Sequence, residues 1–162
     1  KYAFRGDFDL QLDCRIDFLK STSGMDQLLS ILVVDKSGKI GKTDTVVINL
    51  TMGEYMHQGW LASGAVINGR WNKGISKLVE GFDGTLRILR KGKYTSTLYK
   101  NKGASEWSKL NTFRITENDM IFGFQVRNFF NKRTTIRATQ SISAEFDSFR
   151  INAAHEIIEE EI

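Results

Sequence analysis

The sequence contains no proline, one cysteine, two histidines and no apolar run near the ~18 residues of a membrane-spanning helix. Each shortage excludes something. A single cysteine, Cys14, cannot close an intramolecular disulfide, so its presence says nothing of the redox compartment. With only His57 and His155 beside it, a zinc or iron site would have to borrow nearly all its ligands from carboxylates. Without proline, the turns must be made by glycine and its polar neighbours. The first residues lack a basic stretch leading into an apolar core, so no signal peptide is expected, and the start at Lys1 fits a piece cut from a larger protein.

At 162 residues the chain suits one domain, and roughly 70% of its unfolded surface can be buried at that size, enough for a core without disulfides or metal. No direct insertion into a membrane is expected. Charge is unevenly spread. Residues 1–69 carry 7 basic and 8 acidic side chains, residues 70–137 carry 15 and 5, and residues 138–162 carry 1 and 6. The middle excess raises the question of nucleic acid, for which Arg87, Arg90, Lys91, Lys93, Lys100 and Lys102 could form a stripe. Several of these flank hairpin turns, where lysine is a common solvating choice, so no nucleic-acid partner is expected.

From Gly6 to Phe18, Phe8, Leu10, Leu12, Cys14, Ile16 and Phe18 alternate with Asp7, Asp9, Gln11, Asp13, Arg15 and Asp17. Period two over this length predicts a strand with one buried face, and places Cys14 on it. Further strands are predicted at 28–34, 45–52, 60–67, 85–90, 94–100, 113–115, 121–128 and, in two pieces, 134–151, separated by turns at Asn68-Gly69, Asp83-Gly84, Lys91-Gly92, Lys102-Gly103 and Ser37-Gly38-Lys39. One short helix is expected in the acidic segment 153–162. The domain is therefore placed at 1–152, with 153–162 as a tail or linker to a following domain.

From Gly84 onward the order of motifs is specific: a Leu86-Arg87-Ile88-Leu89-Arg90-Lys91-Gly92 strand and turn, a Tyr94 to Leu110 hairpin holding Trp107, an Ile121 to Asn128 strand, and a closing Phe146-Asp147-Ser148-Phe149-Arg150-Ile151. Together with the opening Gly6-Asp7-Phe8-Asp9-Leu10, this resembles concanavalin A-like (laminin-G-like) jelly-roll domains of bacterial modules of unknown function. The resemblance covers both ends and about two thirds of the chain, and residues 20–80 match only in rhythm. It implies an all-β, two-sheet antiparallel β-sandwich, and an extracellular or periplasmic setting within a multidomain chain. Trp107 is expected to cover one end of the core. Because such folds host lectins, hydrolases, lyases and adhesion modules alike, function must come from the site.

A retaining glycosidase needs two carboxylates about 5 to 5.5 Å apart. Asp7 and Asp9, at i and i+2 on one strand face, are the nearest approach, and the row Asp7, Asp9, Asp13, Asp17 reads better as a solvated or edge-facing strand. The resemblance leaves calcium open, with Asp35 and Asp44 flanking one turn, or Glu117, Asn118 and Asp119 before a strand, as oxygen ligands. No other cofactor is expected. A sugar or peptide site would use flat rings and planar polar groups. Candidates are Tyr55, His57, Trp60, Trp71, Arg87, Arg127 and Asn128, with Phe129 and Phe130 beside the last. The first reading is a non-catalytic recognition module for a carbohydrate or protein ligand. The alternatives are a carbohydrate-active enzyme using Glu54, His57 or Glu80, and a structural or sensory domain.

Overall fold

The computed structural model describes residues 2–19, 25–38, 42–53, 58–130 and 142–159. They form ten antiparallel strands: β1 (Tyr2–Asp17), β2 (Met25–Asp35), β3 (Thr45–Met52), β4 (Gly59–Ile67), β5 (Arg70–Val79), β6 (Gly81–Lys91), β7 (Tyr94–Asn101), β8 (Ser108–Arg114), β9 (Met120–Phe130) and β10 (Ala144–Glu159). Hydrogen bonding runs through them in the order β5-β4-β3-β2-β9-β1-β6-β7-β8, with β10 on the other edge of β1. The fold is all-β, and among the described residues there is no helix.

The strands make one hydrogen-bonded path and not two separate sheets, for a reason that lies in β1. Its first residues pair with β9 (Ala3 with Ile121, Phe4 with Met120), while residues 8–17 pair with β6 on the same edge. The change happens at Gly6, whose φ of 67° lies in the left-handed region, beside a bulge between Arg5 and Phe8 in the pairing with β10. The path therefore rolls back on itself. β8 touches β4 and β5, β7 touches β3, and β6 touches β2. The main core fills the space between, from Leu10 and Leu12 of β1 and Leu29 and Ile31 of β2 to Leu86 and Ile88 of β6, and a smaller buried cluster of Leu32, Val34 and Val47 with Ile121 lies apart from it. Burial of this continuous apolar layer is the main stabilising contribution, at roughly 25 cal/mol per Å².

The period-two reading of β1 holds: Phe8, Leu10, Leu12, Cys14 and Ile16 are all buried. The first strand is not an edge, however, because β6 and β10 flank it on both sides. Its aspartates are therefore not merely solvated, and Asp9 is itself buried. Asp83-Gly84 is not a turn. Gly84 sits inside β6 between Cys14 and Asn101, and a Cβ there would lie 2.2 Å from the Lys100 carbonyl oxygen. By contrast Asn68-Gly69 makes the expected hairpin, with both residues at positive φ (51° and 74°) as a two-residue turn requires.

Two elements depart from expectation. β5 has no counterpart among the predicted strands: its residues 70–79 alternate weakly because the strand is hydrogen-bonded only to β4 among the described residues and is largely exposed. Over 153–159 the helix expected for 153–162 is replaced by strand, since β10 continues past Ile151 to Glu159 and pairs Glu159 with Tyr2, and residues 160–162 lie outside the described residues. The boundary at 152 thus coincides with no break. Residues 134–141 of the expected last strand lie outside the described residues.

Candidate functional site

Side-chain direction follows from register. In β4, Leu61 and Ala65 point into the core, so Trp60, Ala62, Gly64 and Val66 point outward. The pairings carry that outer face across five strands. Leu78, Trp60, Thr51, Leu28 and Arg127 form one transverse row, and Ser76, Ala62, Asn49, Ser30 and Gln125 the next. A third row runs through Lys73, Gly64, Val47, Leu32 and Gly123, and Trp71 opens a fourth opposite Val66.

Trp71 is 56% exposed, and its indole reaches back over Gly64: a Cβ on Gly64 would sit 2.3 Å from the ring's Cη2 and Cζ2. Glycine is thus what allows the ring to lie against the sheet. Trp60 and Gly64 are four strand residues apart, ~13 Å at ~3.3 Å per residue. The floor between the two rings is made of Ala62 and Gly64. Beside it the Ser30 hydroxyl donates to Asn49 Oδ1 at 2.8 Å, and the Gln125 amide donates to Ser30 Oγ at 3.4 Å. The flanking outward residues Leu32, Val34, Val47 and Val66 are each less than a tenth exposed, so the polar ladder crosses a close-packed apolar surface. Such a face offers a flat polyhydroxylated ligand ring surfaces to stack on and, beside them, the half-buried Asn49 and Gln125 amides, oriented by a Ser30 hydroxyl that is itself fully buried.

Of the residues singled out in the sequence, Trp60, Trp71 and Arg127 share this face. Arg87 does not. It lies on the outer face of the β6 half, where its guanidinium grips Asp9 in a fork (Nε to Oδ1 2.8 Å, Nη2 to Oδ2 2.6 Å) and stacks with Trp107 at 4.9 Å. Asn128 follows Arg127 by one residue, pairs with Gln27, and takes the opposite, core-side face. Tyr55 and His57, with Glu54, lie outside the described residues, as do the side chains of Phe129 and Phe130. The sequence reading did not single out Ser30, Asn49 and Gln125. Their signal was a lone polar residue inside an apolar run, as in Leu28-Leu29-Ser30-Ile31-Leu32 and Val46-Val47-Ile48-Asn49-Leu50.

Trp107 is also relocated. It covers no end of the core, but lies on the outer face over Arg87 and Lys100, each 4.9 Å from its ring centre. Arg90, a member of the basic stripe considered above, is buried against Phe8 and donates to the Gly92 and Asn118 carbonyls.

The carboxylates are engaged. Asp9 is held by Arg87, Asp13 by Nη1 and Nη2 of Arg150 and by the Thr85 hydroxyl, and Asp7 accepts the Gly92 N–H at 2.6 Å. The Arg150 hydrogen bond, with help from Thr85, holds Asp13 below the usual carboxylate range. No two of these form an open pair.

The two groups considered for calcium converge at one end of the roll. Asn118 donates its side-chain amide to Asp35 Oδ2 at 2.9 Å, and the Lys36 N–H bonds to the Asp119 carbonyl. Their oxygens are taken up by protein donors: Ser37 and Asn118 on Asp35, the N–H groups of Asn68 and Thr116 on Asp44, and Arg5 on Asp119. Burial pushes Asp35 up, but these donations outweigh it and leave the carboxyl below its ordinary range. Among the described residues, no cluster of three or more His, Cys, Asp or Glu is placed to hold a metal ion.

No protein-family model matches the chain, and no curated protein matches it. Among solved structures it is similar to a variant of the GH43 protein BlXynB from Bacillus licheniformis, with a TM-score of 0.60 and 15% identity. The likeness covers 91% of this chain and 27% of that one, so the chain spans about a quarter of that protein's length. At this identity the likeness is one of fold.

Proposed function

We propose that this chain is a non-catalytic carbohydrate-recognition module of concanavalin A-like jelly-roll type, and that it binds glycan on the outer face of β5-β4-β3-β2-β9. The observation that carries the proposal is the pairing of Trp60 and Trp71 across an Ala62/Gly64 floor beside the Ser30, Asn49 and Gln125 ladder. Stacking on the two rings supplies affinity, while the Asn49 and Gln125 amides, held in place by the buried Ser30, orient ring hydroxyls together with Arg127. Likeness to part of a GH43 protein, GH43 being a glycoside hydrolase family, supports a carbohydrate role. The engagement of Asp9 and Asp13 by arginine favours binding over hydrolysis. In this reading the module belongs to a larger extracellular or periplasmic protein.

An array of neutral polysaccharides tests the proposal. The chain should bind at least one of them, and Trp60→Ala with Trp71→Ala should abolish that binding while leaving the fold intact by circular dichroism. Absence of binding to every polysaccharide, or binding unchanged in the double variant, would contradict it.

A further inference from the structure

The opposite outer face, on β6, β7 and β8, has a different chemistry. Register places Tyr94, Ser96, Leu98 and Lys100 of β7 outward, and with them Lys109, Thr112 and Arg114 of β8. Neither strand contains a carboxylate. Arg87 of β6 lies on the same face, and the Trp107 ring spans Arg87 and Lys100. The nearest strand acids are already closed, Asp9 by Arg87 and Asp83 by Lys102 at 3.2 Å. Lys109 and Arg114 are exposed and have no carboxylate partner among the described residues.

From this placement we infer a second binding face, for an anionic polysaccharide. Lys109 and Arg114 lie five strand residues apart, ~16 Å along β8, which suits an extended polyanion better than one small ion. Between them the Ser96 and Thr112 hydroxyls bond each other at 2.7 Å, a polar floor for sugar hydroxyls. A ring stands at each end, Trp107 near Lys100 and Tyr94, half-exposed, opposite Arg114. Single-stranded nucleic acid is less well served, because successive bases call for successive aromatic platforms and the interval here is hydroxylic. Attraction of this kind is screened by salt.

Gel retardation of the whole chain, at low and at high salt, tests the inference. The probes are polygalacturonate for carboxylates, dextran sulfate for sulfates, neutral dextran as control and single-stranded DNA as rival. Retardation by at least one polyanionic glycan is expected, lost at high salt and weaker by about tenfold in Lys109→Gln/Arg114→Gln, as expected when charge contacts are removed. Trp107→Ala should weaken it too, and the Trp60/Trp71 double variant should not, which separates this face from the one proposed above. Three results would overturn the inference: no retardation by either anionic glycan, retardation unchanged in Lys109→Gln/Arg114→Gln, or tighter binding of DNA than of both.

Discussion

Asp9 and Arg87 show how a single pair decides between readings of this chain. Both side chains are largely buried, at 11% and 19% exposure, and they meet in a fork. Removing one partner of such a pair strands the other charge, which costs about 3 kcal/mol. Arg87→Gln should therefore lower the free energy of unfolding in urea by that order, and Asp9→Asn in the same background should restore part of it. A loss in the double variant equal to the sum of the two single losses would mean the charges do not interact. Asp13 makes a pH prediction. Its folded-state carboxyl is held low by Arg150 and Thr85, so its contribution is fully present above the ordinary carboxylate value and is lost as pH falls from there through the lower folded-state value. The melting temperature should fall on acidification, and less steeply in Asp13→Asn. Cys14 behaves oppositely. Burial pushes its thiol from 9.0 up to about 12. The folded state thus prefers the protonated form, and this contribution is complete below pH 9 and fades as pH rises toward 12. Ellman's reagent should label Cys14 slowly in the native protein and rapidly in denaturant.

At the scale of the strand, legibility followed the environment. β1 could be read because one face is buried and the other is not, which writes a period of two into its residues, whereas β3 and β4, largely buried on both faces, were legible as short apolar runs bounded by turns. β5 could not, since a strand with little buried on either face has no reason to alternate. The last strand was misread as a short helix after Ile151 because Ala153, Ala154 and the glutamates are good helix formers, while pairing to β1 overrides that weak preference. For the site, Trp60 and Trp71 were recognisable as rings, but their sharing of one face depends on β5 being a strand. Asn128 was placed beside Arg127 although adjacent strand residues face opposite ways once the strand extends through both. Two glycines separate site from scaffold. Gly64→Ala should push aside only the exposed end of the Trp71 indole, leaving the melting temperature nearly unchanged while weakening glycan binding. In Gly84→Ala the methyl meets the backbone of β7, which cannot yield so easily, and a loss of about 3 kcal/mol in chemical unfolding is expected.

Across the whole molecule, the roll of one sheet turns two outer faces away from each other, and their chemistry diverges. The β5-β4-β3-β2-β9 face carries rings and neutral amides with Lys73 and Arg127 on its outer strands, and the β6-β7-β8 face carries Arg87, Lys100, Lys109 and Arg114 with no carboxylate on β7 or β8. The outer faces were free to differ because the core between them already accounts for the fold. The central claim concerns the first face, and the indole N–H resonances of Trp60, Trp71 and Trp107 report on both faces at once. In a titration with a neutral polysaccharide that the array identifies, the Trp60 and Trp71 signals should shift and saturate together while Trp107 stays in place. A Trp107 shift with the other two unmoved, or no shift in any of the three, would contradict the account.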